Sequence, residues 1–345
     1  MAVGVTRVLV VNAGSSSLKL RLLGPDDTVE RTAEDLAEVR DWPTPDAVGH
    51  RIVHGGIRFT DPVVVDRDVR AALDELTALA PLHQPKSLDG LDAVSAQYPD
   101  VPAVACFDTA FHAAIPDAAA TYAVPAQWRE RYAIRRYGFH GLSHAGCARQ
   151  VADLTGARRI VTAHLGAGAS LCAVLDGRSV DTTMGFTPLE GLVMATRSGS
   201  VDPGLVLWLT EHEGLSPHEV AETLEKKSGL LALAGTADLR EVDADSLAMQ
   251  VYVHRIAAGV AAMAASAGGL EALAFTGGVG ENSTVVRAKV AERLAFLGVA
   301  VDDPGTTDGE ITARGAAVRV LVVPAREDLE IARGTRNALQ RHGTG

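Results

Sequence analysis

Three cysteines in 345 residues, Cys106, Cys147 and Cys172, stand far apart and form no CxxC pair. Neither a disulfide framework nor a cysteine zinc site is indicated, and buried small hydrophobes are the simple reading. No uninterrupted apolar run approaches the roughly 18 residues of a membrane span, and Met1 to Leu20 lacks a signal peptide's cleavage pattern, so a cytoplasmic protein is expected. Positive charge is scarce too: 32 Lys and Arg against 43 Asp and Glu leave a formal net charge of -11. That balance argues against a broad footprint for nucleic acid or an anionic membrane, though not against local anion sites. No GxxxxGK[ST] occurs, and GGVGEN lacks the third glycine of GxGxxG, so neither a P-loop nor a dinucleotide fingerprint is present.

What is present is a repeat. Arg7 to Leu23 (RVLVVNAGSSSLKLRLL) and Arg159 to Asp176 (RIVTAHLGAGASLCAVLD) share one pattern: a β-branched apolar run, a polar residue, a small-residue turn and a second apolar run. Two strand-turn-strand units of this kind are the signature of a duplicated fold. The length also exceeds the roughly 250 to 300 residues that one core usually supports, so two domains are expected. Helical periodicity runs over Asp68 to Ala80, and Ser143 is a candidate cap for a helix ending near Gly156. Ser216-Pro217-His218-Glu219 is a strong helix start with Gly229 as its stop, and an Ala-rich helix is expected from about Ser246 to Gly268. Alternating strands and helices indicate α/β sheets faced by helices.

Three glycine-rich turns end apolar strands, at Asn12 to Ser17, His164 to Ser170 and Thr276 to Ser283. Small residues let backbone N–H groups approach an anion, so three such turns favour a shared polyphosphate ligand. Arg51 lies in the strand-like run HRIVHGG, where a charge needs an anion or an internal carboxylate beside it. Asp108 ends the strand PAVACF, either open to a crevice or capping a helix. His140 sits between two glycines, and its spacing to His144 would also suit a metal pair, although no third ligand is apparent. His83 is ambiguous by itself. Asp181 to Gly204, with Arg197 near its end, has the composition of a long ordered loop. Glu327 and Asp328 open a helix, as dipole partners or as a magnesium site.

Together these stretches resemble the acetate kinase family. The matching strings are NAGSSSLK, HRIVHGG, PLHQP, FDTAFH, RRYGFHGLSH, AHLGAGAS, TTMGFTPLEGLVMATRSG, FTGGVGENS and VPAREDL, in the family's order across nearly the whole chain. The resemblance implies two α/β domains of duplicated actin-like (ribonuclease H-like) topology around a central cleft, with residues 1–112 plus 328–345 in the first and 113–327 in the second. It implies reversible phosphoryl transfer from ATP to acetate, giving ADP and acetyl phosphate, with Mg²⁺ or Mn²⁺, in a homodimer without nucleic-acid or membrane partners.

Carried over by motif, Asn12 and Glu327 would hold the metal and Lys19 would contact the nucleotide. Arg51 would orient acetate, with Val53, Leu82, Phe139 and Pro188 around its methyl group. Asp108 would be the catalytic carboxylate, His140 and Arg197 would stabilise the transferring phosphoryl, and His83 and His164 would assist. The segments His164-Leu165-Gly166-Ala167-Gly168, Asp238-Leu239-Arg240 and Gly278-Val279-Gly280-Glu281-Asn282 would hold ATP. Two departures stand out: Ala167 occupies a position where the family usually carries Asn, and the segment between Lys19 and His50 is short. Losing one transition-state donor costs about 10² to 10³ in rate. Two alternatives therefore accompany the acetate reading: a propionate kinase of the same family, and a weakly active nucleotide-binding sensor.

Overall fold

The computed structural model describes residues 7–13, 18–80 and 84–343. The chain divides into two compact units, Met1–Ala113 with Arg326–Gly345, and Ala114–Ala325. The first contains β1 (Val8–Ala13), β2 (Leu18–Leu23), β3 (Val29–Ala33), β4 (Ala47–Ile52), β5 (Val63–Val64) and β6 (Ala103–Phe107), in the sheet order β3-β2-β1-β4-β6-β5. The second contains β7 (Arg159–Leu165), β8 (Ala169–Leu175), β9 (Arg178–Thr182), β10 (Ala272–Thr276), β11 (Gly309–Glu310) and β12 (Arg319–Val322), in the order β11-β12-β10-β7-β8-β9. Reversed, the second order repeats the first strand for strand. In each sheet a leading antiparallel meander is followed by two parallel additions, β4 and β6 beside β1, β10 and β12 beside β7. The duplication read from the two strand-turn-strand units is thus a duplication of the whole sheet; the first unit's turn, 14–17, lies outside the described residues.

In the first unit the central strands are apolar on both sides because helices cover both faces. Helix Gln84–Gln97 closes one face, where Leu9, Val11, Leu20, Leu22, Val48 and Val94 form a cluster. A second cluster joins Ile52, Leu73, Leu88, Leu91 and Phe107, with Phe59 stacked on Phe107 at 5.4 Å. Each fully buried Leu or Phe contributes about 1.5 to 3 kcal/mol. Helix Glu327–Gly343 covers the other face and is seated at Gly49, where a β-carbon would come 2.3 Å from Thr335 Oγ1. This close approach aims the start of that helix, and hence Glu327, at the carboxyl ends of β1 and β4.

Several local expectations need correction. The first helix is shorter than its periodicity, Arg67–Glu75, and tightens into a 3₁₀ turn over Leu76–Leu79. Ser143 is not a cap: helix Gly141–Thr155 begins after His140, whose backbone is left-handed (φ 56°), so the chain enters one turn earlier than the hydroxyl suggested. Ser216 does cap helix Pro217–Lys226 with a full capping box, but the helix ends at Lys227, and Gly229 begins the next one, Gly229–Ala234. The third glycine turn is a short helix, Gly277–Asn282, directly after β10. Helix Leu247–Ser266 is capped by Ser246 as expected. By length and hydropathy it could cross a membrane, yet half of it is buried, with Tyr252, Ile256 and Val260 inside and Gly259 close against Leu171. All three cysteines are buried and unpaired by disulfides.

His50, on β4, is buried, and neither ring nitrogen meets a hydrogen-bond partner among the described residues. Burial pushes its pKa down to about 3, against a weaker pull upward from Asp92. The unfolded chain binds this proton near pH 6.5 and the folded chain resists it. Stability from the neutral ring is therefore complete above pH 6.5 and is lost as the pH falls toward 3. Urea unfolding of the native chain should lose about 1.4 kcal/mol per pH unit in this window relative to His50→Gln. Parallel pH profiles for the two proteins would contradict this account.

Candidate functional site

In the first unit the functional side chains gather where strands end. Arg51 is the penultimate residue of β4, opposite Cys106, and Asp108 follows β6, its N–H donating to Ile52 O at 3.0 Å. Arg51 grips Asp108 with two donors, Nε to Oδ1 at 3.1 Å and Nη2 to Oδ2. Asp108 is therefore neither a helix cap nor open to solvent; it is the internal carboxylate that a buried arginine required. Glu327 stands 3.9 Å from Arg51 Nε and accepts a bond from Asn12 Nδ2 at 2.7 Å. Burial pushes the Asp108 pKa up to about 6; Arg51 opposes the rise and Glu327 adds to it. Burial also works against the Arg51 charge, but Asp108 and Glu327 outweigh it and hold the guanidinium protonated. Two carboxylates share one guanidinium here, so with both ionised the cluster carries one unbalanced negative charge.

Lys19 is exposed on β2 and lies opposite Asn12 in the hairpin register, which sets both on one face of the sheet. Val53 is buried just beyond β4, where Gln84 brackets the backbone of His54 and Thr109 accepts from Gly55 N–H. Leu82 and His83 lie outside the described residues.

In the second unit three histidines pack between the helix Gly141–Thr155 and the β7–β8 hairpin. His140 and His164 stack with centroids 4.3 Å apart, and His164 Nδ1 bonds Ser143 Oγ at 2.8 Å. His144 has both ring nitrogens on hydroxyls, Thr162 at 2.7 Å and Ser170 at 2.8 Å. Those bonds orient it inside the hydroxyl cluster, so the His140 and His144 spacing does not form a metal pair.

Arg197 stands in the loop between β9 and helix Pro203–Glu211. Nη1 donates to Pro188 O at 3.1 Å, and among the described residues no carboxylate forms an ion pair with it. Burial lowers its pKa, with Glu225 opposing. A β-carbon on Gly168 would come 3.2 Å from His140 Nε2 and 3.7 Å from Arg197 Nη1, so imidazole, guanidinium and the hairpin tip converge on one spot. The loop is held from several sides. Arg136 and Tyr122 bind Glu190, Arg136 also takes the carbonyls of Thr183 and Met184, and Ala195 N–H donates to Ala167 O at 3.1 Å. Gly229 supports it from below: φ is 64°, and a β-carbon would come 2.2 Å from Met194 O and 2.7 Å from Arg197 O. Sequence reasoning gave Gly229 a different task, and only a close approach in three dimensions reveals this one. Phe139 is buried beside His140 in the chain.

The expected nucleotide segments differ in character. Gly166 N–H bonds Gly168 O at 2.9 Å within the β7–β8 turn, and Ala167 projects to solvent. Gly277 (φ 79°) packs on Leu165 O, while Gly278 has open space around it. The side chains of Glu281 and Asn282 serve the loop itself, Glu281 accepting from Gly277 and Ala325 N–H, Asn282 donating to Gly278 O. Buried Arg287, signalled by nothing in the sequence, takes the carbonyls of Gly280 and Glu281 and pairs with Asp303. Asp238 caps its own exposed turn, Leu239–Glu241, and is gripped by Arg240.

All of these residues except Asn12 and Lys19 fall within a stretch, 43–333, that matches the model of the Acetokinase family. The chain belongs to the acetokinase family. Among its relatives, an acetate kinase of Thermosipho africanus is 41% identical over 97% of this chain and 98% of its own length. An acetate kinase of Nostoc punctiforme is 47% identical over 91% of this chain and 79% of its own. The crystal structure of Porphyromonas gingivalis acetate kinase superposes with a TM-score of 0.88 at 37% identity, covering 97% of this chain and all of that one. A propionate kinase from Francisella tularensis gives 0.89 at 34%, covering 96% and 99%. The fold is accordingly the two-domain actin-like α/β fold, and the chain is a kinase of this family.

If Gly229 seats the arginine loop, Gly229→Ala should cost more than about 1 kcal/mol, since the added carbon meets both a left-handed backbone and two carbonyls. Guanidinium unfolding should show it, together with faster proteolysis within 190–230. A variant with the native midpoint and native cleavage rate would sink this role.

Proposed function

We propose that this protein is an acetate kinase, catalysing reversible transfer of the ATP γ-phosphoryl to acetate to give ADP and acetyl phosphate. The observation that carries the reading is Arg197: a largely buried guanidinium with no carboxylate ion-paired to it among the described residues, beside His140 at a hairpin tip, is built to receive an anion. Names of relatives that cover nearly the whole chain support the same reaction.

In this reading Arg51 holds the acetate carboxylate while Asp108, the catalytic carboxylate, fixes the guanidinium plane; Val53, Phe139 and Pro188 contribute to a small apolar surface for the methyl group, with Leu82 as a further member, and His83 assists. An acetate oxygen forms the new bond to the γ-phosphorus as the bond to the ADP oxygen breaks. Arg197 and His140 donate to the equatorial oxygens as charge spreads over them, and His164, stacked on His140, restricts its ring. Lys19, the β7–β8 turn with His164 to Gly168, Gly278 to Asn282 and Asp238 to Arg240 attend the nucleotide.

The donor set at Asn12 and Glu327 fits Mg²⁺. Both present hard oxygens, few protein ligands are needed when phosphates and waters complete the shell, and the unbalanced negative charge beside Arg51 favours a dication. When bound, Mg²⁺ (or Mn²⁺) supplies neutralisation of phosphate charge. A cytoplasmic homodimer completes the proposal. Helix Pro203–Glu211 supports the dimer, having no buried residue and leaving Leu205, Leu207 and Trp208 exposed.

A second substrate reading is favoured by the propionate kinase likeness, because one methylene in an apolar pocket is worth only about 1 to 3 kcal/mol. Trapping acyl phosphate with hydroxylamine, with acetate, propionate and butyrate each at limiting concentration, should give the highest kcat/KM with acetate. A higher value for propionate would move the assignment, and no hydroxamate from any acid would end the kinase reading. Arg197→Ala should lower kcat by about 10² or more with little change in the KM for acetate; the reverse pattern would make it a ground-state binder. The sensor alternative rests on Ala167. Ala167→Asn should raise kcat severalfold if a lost amide limits turnover, and an unchanged kcat would mean that the backbone of the turn suffices.

A further inference from the structure

Behind His140 runs a chain of side chains that the phosphoryl-transfer reading does not use: Thr162 Oγ1 to His144 Nδ1 at 2.7 Å, His144 Nε2 to Ser170 Oγ at 2.8 Å, and Ser170 Oγ to His140 Nδ1 at 2.9 Å. Thr162, His144 and Ser170 are fully buried. The spacing that builds the chain is visible once the elements are known. His140 and His144 lie one helical turn apart, and Thr162 and Ser170 stand on neighbouring strands of the β7–β8 hairpin, with Ser170 opposite His164.

Counting protons gives the chain a direction. Each hydroxyl has one proton, and a neutral imidazole has one donor nitrogen and one acceptor. Among the described residues the Thr162 hydroxyl makes one hydrogen bond, to His144, and a buried hydroxyl proton left without an acceptor costs about 1 to 3 kcal/mol. Thr162 therefore donates, and His144 Nδ1 accepts. The His144 proton then sits on Nε2 and is donated to Ser170 Oγ, which leaves the Ser170 hydroxyl proton for His140 Nδ1. With Nδ1 accepting, His140 carries its own proton on Nε2, the atom that faces the Gly168 position next to Arg197.

We propose that Thr162, His144 and Ser170 are positioning residues that hold His140 as the neutral Nε2–H tautomer, so that it presents a donor, not a lone pair, to the transferring phosphoryl. The role assigned to the donor rests on the acetate kinase reading; the tautomer itself does not. In the opposite polarity His140 Nε2 would offer a lone pair to an anionic phosphoryl, a repulsive contact. A hydroxyl separated from the substrate by three side chains thus selects which end of the imidazole is useful.

The test uses the full chain labelled with ¹⁵N-histidine. Long-range ¹H–¹⁵N correlations at pH 8, assigned through His140→Gln and His144→Gln, should report His140 as Nε2–H in the native protein, and Thr162→Val should move it toward Nδ1–H. In the hydroxamate assay Thr162→Val should lose about ten- to a hundredfold in kcat, the range for groups that orient a working histidine, with KM for ATP and acetate within about twofold. Thr162→Ser, which keeps the hydroxyl, should restore most of the loss. A native His140 found as Nδ1–H would overturn the proposal, as would a folded Thr162→Val with native kcat, or a Thr162→Ser no better than Val. If Thr162→Val does not fold, the tautomer of the native chain decides. Native protein that forms no acyl phosphate would count against the kinase reading alone, since the tautomer is read without turnover.

Discussion

A guanidinium drawn partly out of water with no carboxylate ion-paired to it is costly to fold around, and among the described residues much of the second unit is arranged to keep Arg197 in that condition. Its loop is tied by Arg136 and Tyr122 through Glu190, by the backbone bond from Ala195 to Ala167, and by helix Gly229–Ala234 packed beneath it. None of these contacts neutralises the charge. They fix its position and leave its electrostatic demand to be met by a ligand. Enzymes that move a phosphoryl group need such pre-set charge more than they need reactive side chains, because the transition state spreads charge over oxygens without demanding covalent help.

Arg51 illustrates the complementary solution. Its charge is met internally by both oxygens of Asp108, and Glu327 lies near enough to raise the Asp108 pKa in concert with burial. The two arginines thus differ in kind. One is stabilised and over-supplied with negative charge, which suits a cation. The other is under-supplied, which suits phosphate. The duplicated sheets provide the frame for both: Arg51 and Asp108 stand at or just beyond strand ends, and His140 and Arg197 converge on the tip of the β7–β8 hairpin, while apolar strand interiors form the core.

Much of this could be read from the sequence, for identifiable reasons. Strand-turn-strand units at Arg7–Leu23 and Arg159–Asp176 each carry two apolar runs around a small-residue turn, and a repeat in pattern became a repeat in topology. The capping box at Ser216 and the cap at Ser246 are local chemistry, so they survived folding unchanged. What escaped were relations between distant residues. Asp108 reads as a cap until Arg51 is seen beside it, and Gly229 reads as a stop until the carbonyls of Met194 and Arg197 are found against it. Ser143 failed as a cap because left-handed His140 starts the helix earlier, a strained choice with no local sequence signature. Arg287 and the Thr162–His144–Ser170 chain were invisible for the same reason: each depends on partners contributed by several elements.

The bond from Ala195 N–H to the carbonyl of Ala167 has a consequence for how such a site tolerates change. The tie between the glycine turn and the arginine loop runs through main chain, and the side chain at 167 points away into solvent. A change of side chain at 167 therefore alters what the turn presents to solvent without loosening the tie between the turn and the arginine loop. A position of this kind is set apart from the frame, free to vary in side chain while the fold remains indifferent.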